Sequence, residues 1–401
     1  MRPLADPAGG GATALLVLIV AVGPISTDLY LPALPGIQAA FGTDVATVQL
    51  TLSVYLIAFA FSQLIYGPLS DRFGRRPVIL AGLALYFVAS VLCILAPTVE
   101  VLIGARFLQA VGGCAGQVIV RAIVRDVHGP DGAGKVLAKI AAAMGIAPLI
   151  GPVLGGYLTD AFGWQACFVA LSTAGGLALL GGALMLTETN RMRDPAATAP
   201  GRILRNIGSL TADPRFISYS LCAAGSYSGL FAFISGSSFV FITVLGLEPT
   251  QFSYCFSSAV LGFIIGARTA SRMNDRRRAV GIGASLNALG GLAMLLFLLA
   301  GVESVVTVLA PMVVFAIGMG IVLPHAQAGA VAPYPEKAGT ASALYGTFQY
   351  AIASGVGLLV GHGFDGSALP MAWAVALSGV ITFACFAALL WRGNPVRAAG
   401  N

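Results

Sequence analysis

The chain has 401 residues, of which 57% are hydrophobic and only 9% charged, with a net charge of +6. Soluble globular chains carry about 25% charged residues. The shortfall excludes an ordinary cytosolic enzyme, a disordered chain and a secreted disulfide scaffold, because too few charges remain to solvate the surfaces these expose.

Eleven stretches of 19 residues or more lack Asp, Glu, Lys and Arg, and a twelfth, 101–120, is interrupted only by Arg106. Each is long enough to cross about 30 Å of hydrocarbon as a helix. A membrane β-barrel would show short segments of alternating polarity instead. The predicted fold is therefore all-α and integral to a membrane. Its twelve spans are placed at 12–34, 46–69, 77–96, 99–121, 135–159, 164–187, 215–245, 250–271, 279–300, 304–325, 337–361 and 369–391. The polar segment 188–214, rich in Pro and Ala, reads as a linker between an N-terminal six-helix bundle, 1–187, and a C-terminal one, 215–401. No cleavable signal peptide is read at the start of the chain.

If the spans alternate sides, every Lys and Arg except Arg106 lies on one face, while Asp44, Glu100, Asp160, Glu248, Glu303 and Asp365 lie on the other. The positive-inside rule then puts both termini in the cytoplasm. The net charge is thus an orientation signal, and a nucleic-acid partner is not expected. The cysteines 93, 114, 167, 222, 255 and 385 sit singly in apolar runs, as small core residues do. No cofactor or metal site is expected.

In span one, Asp28 stands within Gly23-Pro24-Ile-Ser-Thr-Asp28-Leu-Tyr30-Leu-Pro32. A carboxylate in a membrane span is a functional-site candidate by default, and the prolines loosen the helix around it. Arg106, in Arg106-Phe-Leu-Gln109, falls at a similar depth in span four, so the pair is read as coupled and as the candidate for proton handling. Between spans two and three stands Gly67-Pro-Leu-Ser-Asp71-Arg72-Phe-Gly74-Arg75-Arg76. Gly74 permits a tight turn there, and Asp71 is an acid able to latch one conformational state. A degenerate echo, Ser271 to Arg277, stands between spans eight and nine, consistent with duplicated halves around a midplane cavity. Span five holds Gly145, Pro148, Gly151, Pro152, Gly155 and Gly156, small residues that allow close helix contact and prolines that bend the helix. Asp28, Tyr30, Gln109, Tyr227, Phe231 and Tyr254 are the candidate substrate contacts. His325, at the end of span ten, is read as a capping or loop-bonded residue. No Walker loop, His-Glu-x-x-His or Gly-x-Ser-x-Gly pattern occurs, so the chain is not read as an enzyme.

The Gly67 to Arg76 segment resembles the signature cytoplasmic loop of the major facilitator superfamily. The span-five pattern resembles that superfamily's antiporter motif, and Arg106 to Gly113 its span-four motif, whose Arg is implicated in proton transfer. Thr27 to Pro35 and Pro333 to Tyr350 resemble segments of the Bcr/CflA drug-resistance exporters. The resemblance implies a twelve-helix fold and a monomer in the bacterial inner membrane that binds small molecules and uses the proton as its coupling ion. It also implies proton-driven efflux of drug-like molecules by alternating access, with export of a sugar, amino acid or other metabolite as the alternative. Some relatives carry a second acid earlier in span one; here the segment before Asp28 is uncharged.

Overall fold

The computed structural model describes residues 10–387 apart from 146, and every element in that range is helical. The helices are α1 (Gly10–Asp28), α2 (Leu34–Phe41), α3 (Val45–Phe73), α4 (Arg75–Ile94), α5 (Val99–Met144), α6 (Ala147–Phe162) and α7 (Gln165–Met185). They continue as α8 (Pro200–Thr211), α9 (Pro214–Ser238), α10 (Pro249–Ala270), α11 (Arg276–Leu299), α12 (Val305–Val331), α13 (Ala338–Gly363) and α14 (Leu369–Cys385). Among the described residues, ten helical segments are long and apolar enough to cross a membrane. The remaining two apolar helices, α6 and α14, have 16 and 17 residues. The chain is a multi-pass membrane protein. The last residues of predicted span twelve, 388–391, lie outside the described range, as do Arg2, Arg392 and Arg397.

Four boundaries differ from the sequence reading, each for a local reason. Span one does not end at 34. The α1 helix stops at Asp28, a 3-10 turn follows at Leu31–Ala33, and α2 carries the apolar run on to Phe41. Asp28 therefore lies farther from the end of that run than predicted, at a break in the helix. Spans four and five are not separated by an open loop, because α5 continues to Met144 and only Gly129, at φ +66° and ψ 179°, leaves the helical region. The predicted fifth span is instead interrupted after Met144. Pro148 has no N–H to give the carbonyl of residue 144, and its ring crowds that carbonyl, so one helix ends and α6 begins. The linker is not all loop: residues 200–211 form α8.

The described chain divides into two compact units. The first holds residues up to Leu204 together with Gly246–Ser257, the start of α10; the second holds Arg205–Leu245 and the chain from Ser258. In the first, α5 is central, packed by α1, α3 and α4, while α7 lies on α4 and α1. In the second, α11 packs on α12 and α14, and α9 on α12, α13 and α14. The α9 helix continues into a π-helical turn, Phe239–Val244. All six cysteines carry free thiols, and four of them, 93, 114, 167 and 222, are buried.

Candidate functional site

Asp28 is the last residue of α1 and is 6% exposed. Pro24, one turn earlier, deprives the carbonyl of residue 20 of its helical donor, and Thr27 Oγ1 turns inward to donate to the Pro24 carbonyl at 2.7 Å. The same hydroxyl lies 3.3 Å from Asp28 Oδ1 and is the side-chain partner of that carboxylate. The span-five glycines explain how an acid fits so close to another helix. A Cβ on Gly151 would sit 3.2 Å from Asp28 Cβ, and one on Gly155 would fall 1.7 Å from the Leu29 carbonyl oxygen. The α6 helix can lie against the end of α1 only because these positions have no side chain.

The opposite side of α6 meets the start of α10 within the same unit. Ser253 Oγ donates to the Pro152 carbonyl at 2.7 Å, Ser257 Oγ to the Leu149 carbonyl at 3.1 Å, and Tyr157 and Tyr254 share a hydrogen bond of 2.6 Å. Thr250 Oγ1 donates to Asp160. A Cβ on Gly156 would meet Ser253 Oγ at 2.5 Å. Five of the six span-five residues therefore act in contacts or bends of α6, and Gly145 is the cap that closes α5.

Arg106 is fully buried on α5, and its hydrogen bonds among the described residues go to a carbonyl and a side-chain amide rather than to Asp28. Its guanidinium carbon stands 4.3 Å from the Tyr30 ring centroid, 4.2 Å from that of Tyr55 and 5.9 Å from that of Phe168. Nη1 donates to Gln109 Oε1 at 2.5 Å and Nε to the Thr51 carbonyl at 3.4 Å. The Gln109 amide donates in turn to Ser90 Oγ at 2.8 Å. Tyr30 and Thr51 share a hydroxyl bond of 3.0 Å, and Tyr55 donates to the Gly23 carbonyl at 2.7 Å. A delocalised, weakly hydrated guanidinium tolerates such a box because aromatic faces supply negative potential, worth about 2 kcal/mol where water is excluded. Tyr30 and Gln109 are thus cage residues that hold Arg106. Tyr55 and Phe168, absent from the sequence reading, complete the cage; their signal was an aromatic at a buried helix position, which packing alone also produces.

The other candidate contacts have partners of their own. Tyr227 stacks edge-on against Tyr350 at 5.3 Å, and Phe231 is buried where a Cβ on Gly357 would meet it, both in the second unit. Tyr254 is 53% exposed and belongs to the α6 contact. His325 Nε2 lies 3.1 Å from the Ala270 carbonyl.

The predicted loop is nearly all helix. Gly67, Asp71 and Arg72 belong to α3, Arg75 and Arg76 open α4, and Gly74 alone breaks the chain, at φ +105°. Asp71 pairs with Arg75 at 2.5 Å, and Arg75 Nε also reaches Asp126 of α5 at 3.0 Å. Arg76 bonds the carbonyls of Leu186 and Ala183 at the end of α7, and Arg72 donates to Thr198. The cap of α4 comes from Glu188, a residue the sequence gave no reason to choose. Its carboxylate accepts from the Arg75 and Arg76 N–H groups at 2.9 and 3.3 Å, against the dipole of that helix. In the echo segment Asp275, which aligns with Gly74, caps α11 itself through the Arg277 and Arg278 N–H groups.

Comparison with known proteins gives the family and the fold. The family model described as Major Facilitator Superfamily matches residues 16–358. Multidrug resistance protein D of Escherichia coli K12 is 32% identical over 343 residues, covering 85% of this chain and 86% of its own length. The Bicyclomycin resistance protein homolog of Haemophilus influenzae is 28% identical over 383 residues, covering 93% of this chain and 94% of its own. Among solved structures, a D-xylose-proton symporter superposes with a TM-score of 0.75 over 94% of this chain and 97% of its own; at 15% identity this is a likeness of fold.

Proposed function

Since the chain belongs to the major facilitator superfamily and is a transporter with drug-resistance relatives of the Bcr/CflA type, we propose that it exports drug-like small molecules from the bacterial cytoplasm in exchange for protons, by alternating access. The observation that carries this reading is Asp28: a buried carboxyl at a break in a membrane helix, held against the bare face of α6 and given one weak hydroxyl partner. A carboxyl in a membrane span is a proton carrier when it is opened to one side and then the other, releasing the proton where its surroundings rehydrate or a substrate group replaces it. Exposed to each side in turn, Asp28 takes a proton from outside and releases it to the cytoplasm. One charge moved across 100 mV is worth about 2.3 kcal/mol, roughly a 50-fold concentration ratio, which suffices for useful efflux. Arg106 contributes by holding α3, α7 and the turn after α1 against α5 around a fixed cation.

The names of the relatives mark multidrug and bicyclomycin resistance, and both support an amphipathic or polar drug-like substrate for this chain. Everted membrane vesicles given bicyclomycin and other compounds in the external medium, with collapse of the pH gradient as the control, provide the test. Uptake is expected to need the gradient and to be lost in Asp28→Asn. Gradient-driven accumulation that survives in Asp28→Asn removes that residue as the proton carrier.

A further inference from the structure

The linker helix α8 carries chemistry that transport does not use. Its sequence, Pro200-Gly-Arg-Ile-Leu-Arg-Asn-Ile-Gly-Ser-Leu-Thr211, turns Ile203, Leu204, Ile207 and Leu210 to one side and Arg202, Arg205 and Ser209 to the other. Only Leu210 of the apolar side is buried; Leu204 is 66% exposed, and Met192, earlier in the linker, 89%. These are large apolar side chains outside the spans that cross the membrane. The basic residues around them are largely uncompensated. Arg202 pairs with Asp194, while Arg191, Arg193 and Arg205 make no ion pair among the described residues.

The height of the linker is fixed by its tethers. In the first unit, Asn190 donates to the Asp71 carbonyl at 3.0 Å, the Asp194 N–H to the same carbonyl at 3.1 Å, and Arg72 to Thr198 at 2.6 Å. All three bonds reach the end of α3. In the second unit, Lys337 donates to Ser209 at 3.0 Å beside the start of α13. Each end of the linker is thus tied where a membrane-crossing helix leaves the hydrocarbon. A helix about 18 Å long at that level, apolar on one side and basic on the other, matches the boundary between acyl chains and headgroups.

We propose that α8 is a membrane-surface helix that binds anionic phospholipid headgroups, with Leu204 and Ile207 entering the acyl boundary and Arg191, Arg193 and Arg205 meeting the phosphates. Charge complementarity selects the partner: the cytoplasmic leaflet is anionic, and long arginine side chains keep their stems on apolar surface while the guanidinium reaches the headgroup. The proposal is independent of which molecule is exported.

The test uses the full-length chain carrying Leu204→Cys, labelled with bimane and compared with the labelled parent, in vesicles of phosphatidylcholine with or without phosphatidylglycerol. Brominated phosphatidylglycerol is expected to quench the Leu204 label strongly, brominated phosphatidylcholine weakly and aqueous iodide hardly at all. Replacing Arg191, Arg193 and Arg205 by Gln is expected to lower the phosphatidylglycerol preference about fivefold per arginine. High salt on the unreplaced arginines is expected to lower the preference as well, which excludes misfolding as the cause. Equal quenching by the two lipids overturns headgroup recognition, and quenching by iodide alone places α8 in water and overturns the proposal.

Discussion

Asp28 and Arg106 show what a rare charge in a membrane chain does and does not reveal. Scarcity alone identified both, because the other Asp, Glu, Lys and Arg residues sit at span ends or in the connections between spans. Their relation was not legible, since matched depth along two helices says nothing about which faces meet. The structure gives Asp28 to the α6 glycines and Arg106 to three aromatic rings. The cage has a consequence for substitution. A Lys at 106 keeps the charge, but it cannot lie flat between Tyr30 and Tyr55 while reaching Gln109 and Thr51 together. Arg106→Lys is expected to lower stability by about 2 kcal/mol, read as a lower unfolding temperature of the detergent-purified protein. A melting curve like that of the parent would mean that charge alone, and not the planar fork, is what the cage holds.

At the scale of elements, the existence and order of the spans followed from hydrophobic runs, while their breaks, ends and caps depended on atoms that no periodicity records. Pro148 ends α5, Gly74 alone turns α3 into α4, and Glu188, more than a hundred residues away in sequence, caps α4. The glycines of α6 were legible as close-contact residues but not as the seat of Asp28. Gly155→Val tests that role: a side chain there would overlap the Leu29 carbonyl and force α1 and α6 apart. It is expected to cost about 3 kcal/mol and to abolish proton-driven uptake, whereas Gly104→Ala, in open space, is expected to leave uptake unchanged. Normal uptake in Gly155→Val would mean that the α1 to α6 approach is dispensable. A second contact sets a pH limit. Tyr334, just after α12, donates to Asp213, the N-cap of α9. This bond holds the Asp213 carboxyl below its ordinary 3.8, while burial and the adjacent carboxylate push the Tyr334 phenol up from 10.0 to about 12. The carboxylate, favoured by folding, stabilises above pH 3.8 and stops doing so as pH falls through its lowered value. The neutral phenol stabilises below pH 10 and stops as pH rises through about 12. Tyr334→Phe is therefore expected to flatten the alkaline limb between pH 10 and 12 in a melting series; an unchanged limb would assign it to other groups.

For the whole molecule, composition selected the solvent, and charge placement selects a direction across it. On the positive-inside rule the face crowded with Lys and Arg is expected on the cytoplasmic side, an orientation set by many small terms and so expected to survive the loss of any one. The same face holds the Arg75 pairs with Asp71 and Asp126, the Glu188 cap and α8. The opposite face holds acids such as Asp44, which caps α3, and Glu100 in the first turn of α5. This asymmetry predicts labelling from one side only. Glu100→Cys is expected to react with a membrane-impermeant maleimide in intact cells, and Ala196→Cys, exposed in the linker, only in everted vesicles. Reversal of that pattern would overturn the orientation and, with it, the proposal that protons enter from the outside.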